Sequence, residues 1–358
     1  MALLGACHRG ARAPVIGIAA ALPRPGVVEV AEDALREQGI DSSRVRIHEL
    51  AVGTGLAGEI QTAVALTRDP RLAVVVGHAG SRGSLLAAPI YSEAHVPMIV
   101  PLGTSRRLRE AGPWVFPLAP DDSAEGAFIA AYVTDSLHAH AVSIAYTSDE
   151  YGVGLKTAIG AALPRHGAHV VDALSIAPAD CRASGNEPFD LAVSASLQQG
   201  RPDAVVIAAG TTPSACTAHE FRTLLRSEVP VVMADGAEPG DTFASRAGQT
   251  DSMYFVAFWY PAAAPARSAS FVARFRRIIG RAPAPADAVW FDAVMLAARA
   301  VVAAGSDGER VRGYLASVGG ATPAYDGVTG TISFPPPSRI PLLMLAVRGT
   351  RTEIVARR

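Results

Sequence analysis

Short apolar runs alternate with amphipathic stretches along most of the chain. The runs at 14–21 (PVIGIAAA), 44–50, 72–76 and 97–100 read as strands. Helical spacing marks 27–38, 58–67 (ended before Asp69-Pro70) and 84–94, and a turn follows at 102–105. The cycle then begins again. Strands are expected at 141–146 (AVSIAY), 168–175, 204–208 and 229–234, with helices at 152–163, 189–199 and 218–227 between them. Nearly continuous apolar strands separated by helices imply parallel sheets covered on both faces. Two such units in succession imply an α/β protein of two doubly wound, Rossmann-like lobes, with ligands at the carboxyl ends of the strands.

After residue 250 the pattern does not support a third domain. It holds one strand (253–259), helices at 268–279, 286–304 and 308–318, and a β-rich tail at 327–334 and 342–355. These elements are too few for a core of their own and fit best as completing the first lobe and then the second. The chain then crosses between lobes about three times, with residues 119–122 as one crossover. The expected division is 13–121 plus 254–328 for lobe one and 122–253 plus 329–358 for lobe two. Residues 1–12 are read as the remnant of an export or lipoprotein signal, or as disordered.

The composition agrees with a two-lobed globule. The chain has 358 residues, 49% of them apolar and 18% charged, with a net charge of −1. No polybasic stripe is present, which argues against nucleic acid as a partner and for a small ligand. No stretch approaches the roughly 18 apolar residues of a membrane span. Leu4-Gly5-Ala6-Cys7 matches a lipobox, in which the cysteine is lipid-modified, although only six residues precede Cys7. In an exported protein Cys181 and Cys216 form a pair available for a disulfide; the alternative is two separate thiols. There is no CxxC or Cys/His metal spacing, and no metal or cofactor is expected.

The stretch at 74–84, VVVGHAGSRGS, carries the most chemistry. Gly77-His78 after a valine strand is similar to a hydrolase nucleophile elbow, but the nucleophile position is Ala79, and the last histidine, His219, precedes 139 residues. The glycines at 77, 80 and 83 are spaced GxxGxxG rather than as a dinucleotide or phosphate loop requires. What remains is an anion site at a helix start, where backbone N–H groups, the helix dipole and the Ser81 hydroxyl converge. Ordinary helix capping is the competing reading for Ser81 and Thr104.

Three segments carry a wider resemblance: VVVGHAGSRGSLLAAPIYSEAHVPMIVPLGTSRRLREAG (74–112), VFPLAPDDSAEG (115–126) and IAYTSDEYGVGLKTAIGAAL (144–163). With Pro202–Val206, Asp235-Gly236 and GVTGTISF (327–334), their order resembles the type I periplasmic binding proteins, specifically the branched-chain amino-acid-binding group of ABC transporters. The first 70 residues depart from that pattern, so contacts made by the family's first loop are not carried over. The resemblance implies an extracytoplasmic monomer that delivers an amino acid or similar small carboxylate to an ABC permease, its lobes closing on the ligand by a hinge motion. It touches the membrane only through a lipid at Cys7. A ligand sensor on the same fold is the alternative, and an atypical hydrolase a more remote one.

The implied ligand residues are Gly80, Ser81, Arg82, Gly103 and Thr104 in lobe one, with Ser81 and Thr104 on the ligand's carboxylate. Tyr151 closes over the ligand from lobe two, and Asp235 holds its ammonium. Trp259 and Tyr260 are weaker candidates for the side-chain pocket, while Trp290, Phe291 and Met295 have the spacing of core residues.

Overall fold

The computed structural model describes residues 13–20, 26–53, 55–176, 193–195, 198, 201–225, 229–240, 252–334, 338–349 and 351–358. Cys7, Cys181 and most of the helix expected at 189–199 lie outside these residues.

The first sheet is parallel throughout. It contains β1 (Val15–Ala20), β2 (Arg46–Ala51), β3 (Leu72–Gly77), β4 (Met98–Val100) and β5 (Val115–Pro117), in the order β2-β1-β3-β4-β5. Two-residue periodicity divides β1 between two cores. Ile16, Ile18 and Ala20 pack with α1 (Val27–Glu37) and α9 (Pro285–Ala304), whereas Val15 and Ala19 pack with α2 (Gly55–Thr67) and α3 (Ser81–Glu93). Both faces are therefore covered, which is why β1 and β3 read as unbroken apolar runs.

The second sheet has seven strands in the order β14-β13-β10-β9-β8-β6-β7. Its parallel part is β6 (Ala141–Thr147), β7 (His169–Ile176), β8 (Ala204–Ala208), β9 (Val231–Met233) and β10 (Met253–Ala257). An antiparallel hairpin, β13 (Leu343–Arg348) and β14 (Arg351–Arg357), extends it beyond β10. The same alternation holds here, since Val206 and Ala208 face one core while Val205 and Ile207 face the other.

Three elements escape the sequence reading. The short helix α4 (Arg107–Glu110) and the strand β5 lie between the turn at 102–105 and the first crossover. The segment read as a crossover continues into α5 (Asp122–Ala131), which is extended by a π turn over Tyr132–Ser136. Asp121 caps α5, its carboxylate accepting the N–H groups of Ser123 and Ala124. A further correction concerns β10. It pairs with β9 and β13, so the 253/254 boundary falls inside a strand of the second sheet, and the chain returns to the first lobe only after residue 257.

The remaining helices are α6 (Glu150–Ala162), α7 (Thr211–Leu225), α8 (Pro265–Ile279) and α10 (Gly308–Ser317), with a small hairpin of β11 (Tyr325–Asp326) and β12 (Thr331–Ile332). Among the described residues no single helix is long and apolar enough to cross a membrane. α9 is apolar nearly all round because it is buried core, with Trp290, Phe291 and Met295 at 3%, 5% and 6% exposure. The chain passes between the two sheets after β5, after β10 and again before β13. One hydrophobic cluster runs through this hinge, taking in Leu118, Phe258, Phe334 and Ile340.

Candidate functional site

A cleft of about 500 Å³ opens between the lobes, at the carboxyl ends of both sheets. Sites for small molecules commonly occupy ~300–1,000 Å³. Of the residues expected at the site, Gly80, Ser81, Arg82, Tyr151 and Asp235 line it. Gly103 and Thr104 do not; they are buried one layer behind Ser81.

Helix α3 begins at Ser81, three residues earlier than its apolar spacing suggests, because Gly80 takes the extended N-cap conformation. Ser81 is 2% exposed, and its Oγ accepts the N–H groups of Thr104 and of Ser105, each at 3.1 Å. A serine hydroxyl has two acceptor sites and one proton. With both acceptor sites used by the turn, Ser81 can only donate to a ligand, which suits a carboxylate. The Thr104 N–H is spent on Ser81 and is not offered to the cleft. Gly103 is kept small by packing, since a Cβ there would press on Leu108 and Val100.

The opposite wall belongs to lobe two. The Tyr151 hydroxyl donates to Asp235 Oδ1 at 2.7 Å and accepts the Gly236 N–H at 2.9 Å. The Tyr-Gly-x-Gly motif has a steric origin here. A Cβ on Gly152 would collide with the Thr147 carbonyl, and one on Gly154 would meet the Asp122 carboxylate. These glycines let the start of α6 close against β6 and α5, and that closure aims Tyr151 at Asp235.

Behind Asp235 lies a group of acids that sequence reasoning missed. Glu125, on α5, is fully buried, and its Oε1 accepts the Asp235 N–H at 2.9 Å. Asp122 is 3% exposed, and its own N–H is held by the Thr104 carbonyl at 2.8 Å. Among the described residues, one oxygen each of Asp122 and Glu125 is buried without a hydrogen-bond partner. Burial drives Asp122 up to about 7, with the Asp235 charge adding to the shift. Burial also raises Asp235 to about 6, opposed by the Tyr151 hydrogen bond, and holds Glu125 well above the ordinary range. No arginine, lysine or histidine pairs with any of the three among the described residues.

Other acids border the cleft. Glu59 lines it and is bonded to Nδ1 of the buried His78, whose Nε2 meets the Tyr91 hydroxyl at 3.1 Å. Glu238, from lobe two, accepts the Ala286 N–H at the start of α9 at 3.0 Å, a contact between the lobes. Arg82 is exposed at the rim, with no ion pair among the described residues. The other walls are apolar and include Val256, Phe258, Val289 and Pro285. Neither Trp259 nor Tyr260 lines the cleft. The indole N–H of Trp259 donates to Ser268 in the core, and the Tyr260 hydroxyl donates to the Thr352 carbonyl. Phe258 supplies the aromatic surface instead.

Two lobes, three connections and a cleft at the ends of both sheets define the architecture of a two-lobed binding protein. The family model for periplasmic binding proteins matches residues 14–340, and the chain belongs to that family. A leucine-binding protein from Thermotoga maritima superposes with a TM-score of 0.81 at 21% identity, over 96% of this chain and 98% of that one. A branched-chain amino acid transporter substrate-binding protein from Streptococcus pneumoniae, solved with isoleucine, also gives 0.81 at 21% identity, over 96% and 99%. An amino acid binding protein from Pseudomonas aeruginosa is 27% identical over 143 residues, or 40% of this chain and 38% of that relative's length.

Proposed function

We propose that this protein binds an α-amino acid with an apolar side chain between its lobes and presents it to an ABC importer outside the cytoplasm. The observation that carries the reading is the polarity of the cleft. Ser81, able only to donate, stands on one wall, and Asp235, backed by Glu125 and Asp122 without a cation, stands on the other. The ligand's carboxylate takes the Ser81 proton at the helix start, and its ammonium supplies the positive charge that the acids lack. The apolar walls take its side chain. Isoleucine in the pneumococcal structure fits the same description.

Function here is binding and release, with no bond made or broken. The ligand stabilises the closed arrangement to the extent that it touches both lobes. A monomer and a lipid anchor at Cys7 are parts of the proposal and are checked by sedimentation and by palmitate labelling. The test of the reading is calorimetric titration with each of the twenty standard amino acids. Binding of leucine, isoleucine, valine or phenylalanine, weakened by Asp235→Asn and by Ser81→Ala, supports it. Failure of every amino acid to bind would sink it.

A further inference from the structure

The hinge carries a second cavity, of about 620 Å³, which shares no residue with the amino-acid cleft. Its walls are the first crossover (Leu118 to Asp121), the third crossover (Ser338 to Leu342) and the end of β14. Leu118, Ile340 and Leu342 give it an apolar floor, each at most 7% exposed. Four arginines line it: Arg109, Arg339, Arg357 and Arg358.

Among the described residues a single side-chain carboxylate lines this cavity, that of Asp121, and it is already engaged. It pairs with Arg109 at 3.2 Å and caps α5 through two backbone N–H groups. Among the described residues the Arg357 side chain reaches only the Ala263 carbonyl, at 3.2 Å. Arg339 and Arg358 have no ion pair or side-chain hydrogen bond among the described residues. Even with a main-chain carboxylate at Arg358 set against them, two positive charges remain. Like charges gathered over an apolar floor repel, and the low-dielectric wall concentrates their field on the cavity. Guanidinium forks match oxyanions in pairs of parallel hydrogen bonds.

We propose that this cavity is a binding site for a small multivalent oxyanion of the phosphate class. Its position against two of the three crossovers means that occupancy restrains the segments that must bend when the lobes move. The phosphate can belong to a soluble compound or to an anionic lipid headgroup.

The experiment titrates the full chain with inorganic pyrophosphate at about 0.15 M ionic strength, where weak surface pairing is screened. In parallel, co-flotation with phosphatidylglycerol vesicles is measured. The expected result is saturable pyrophosphate binding that falls at least tenfold in the Arg339→Ala/Arg357→Ala double variant and is unchanged in Arg82→Ala. Both arginines are exposed, and a circular dichroism melt confirms that the double variant is folded. A Lys pair at the same positions keeps the charge but not the forks and is expected to bind with intermediate affinity. Flotation lost in the same double variant, without saturable pyrophosphate binding, assigns the phosphate to a lipid. The proposal is overturned if neither probe binds, or if binding is indifferent to the double substitution. It is also overturned if Arg82→Ala weakens binding equally. None of these readouts depends on which amino acid occupies the cleft.

Discussion

Glu150 joins the second lobe to Arg107 of the first, its Oε2 accepting from Nη1 at 2.9 Å while its Oε1 accepts the Ser105 hydroxyl at 2.9 Å. Arg107 starts α4 in the first lobe, and Glu150 starts α6 in the second, next to Tyr151. Ser105 in turn gives its N–H to Ser81. The residue on which the ligand's carboxylate would sit and the latch that joins the lobes therefore share one turn. An exposed ion pair alone contributes little, but a carboxylate held at both oxygens fixes a geometry. Glu150→Ala is expected to widen the ligand-free protein, seen as a larger radius of gyration in small-angle scattering, and to weaken ligand binding less than Asp235→Asn does. An unchanged radius would deny the latch.

Ser81→Ala removes an acceptor for two buried N–H groups and a donor to the cleft. Orphaned buried groups cost about 1–3 kcal/mol each, so the variant should melt at lower temperature as well as bind weakly. Ser81→Thr, which keeps the hydroxyl, should recover much of the stability. Thermal melts of both variants without ligand separate the structural role from the binding role.

The buried acids give opposite pH dependences for stability and for affinity. Free aspartates ionise near 3.8, whereas folded Asp122 and Asp235 do so near 7 and 6. Below 3.8 both states carry the protons and no difference arises. Between 3.8 and about 6–7 the unfolded chain loses protons that the folded protein keeps, so stability falls as pH rises through this window. Asp292, raised by burial to about 6, acts in the same direction. The ligand-free protein should therefore melt higher at pH 5 than at pH 8, with a smaller difference in Asp122→Asn/Glu125→Gln. Amino-acid affinity should fall as the pH drops below about 6, because protonated Asp235 no longer opposes an ammonium. Affinity that rises on acidification would rule out Asp235 as the ammonium partner.

Much of this arrangement is legible along the chain, and what is not has identifiable causes. The apolar runs found β1, β3, β6 and β8 because each is buried on both faces. The start of α3 is placed late because Gly80, Arg82 and Gly83 lack an apolar period, and only the extended Gly80 shows where the helix begins. Thr104 falls behind the cleft because its N–H is tied to Ser81, a contact 23 residues distant that no local pattern reports. Glu125 was invisible for the same reason. A glutamate three residues into a helix reads as a solvent-facing or dipole-favoured residue until its partner, 110 residues away, is known. The 253/254 boundary fails because strand order in a sheet does not follow chain order.

The motif GVTGTISF finds its reason in Asp292. That residue is fully buried in α9 and accepts the N–H groups of Val328 and Thr329 and the Thr329 hydroxyl. A Cβ on Gly327 would strike the same carboxylate. Asp292→Ala strands these donors at about 1–3 kcal/mol each and should lower the denaturation midpoint substantially. Asp292→Asn, which keeps an acceptor, should cost less. Urea titration measures both, and equal midpoints for the wild type and Asp292→Ala would remove the structural role assigned to the loop.

In the proposed function the cleft grips two opposite charges on one small molecule. The most direct test compares the best-binding amino acid with its deaminated acid and its decarboxylated amine, each by calorimetry at pH 7.5. Each charged hydrogen-bonded contact contributes about 1.5–3 kcal/mol, so each half-ligand should bind at least tenfold more weakly than the amino acid. Asp235→Asn should abolish the preference for the amino acid over the acid. A deaminated acid that binds the wild type as tightly as the amino acid would contradict the account.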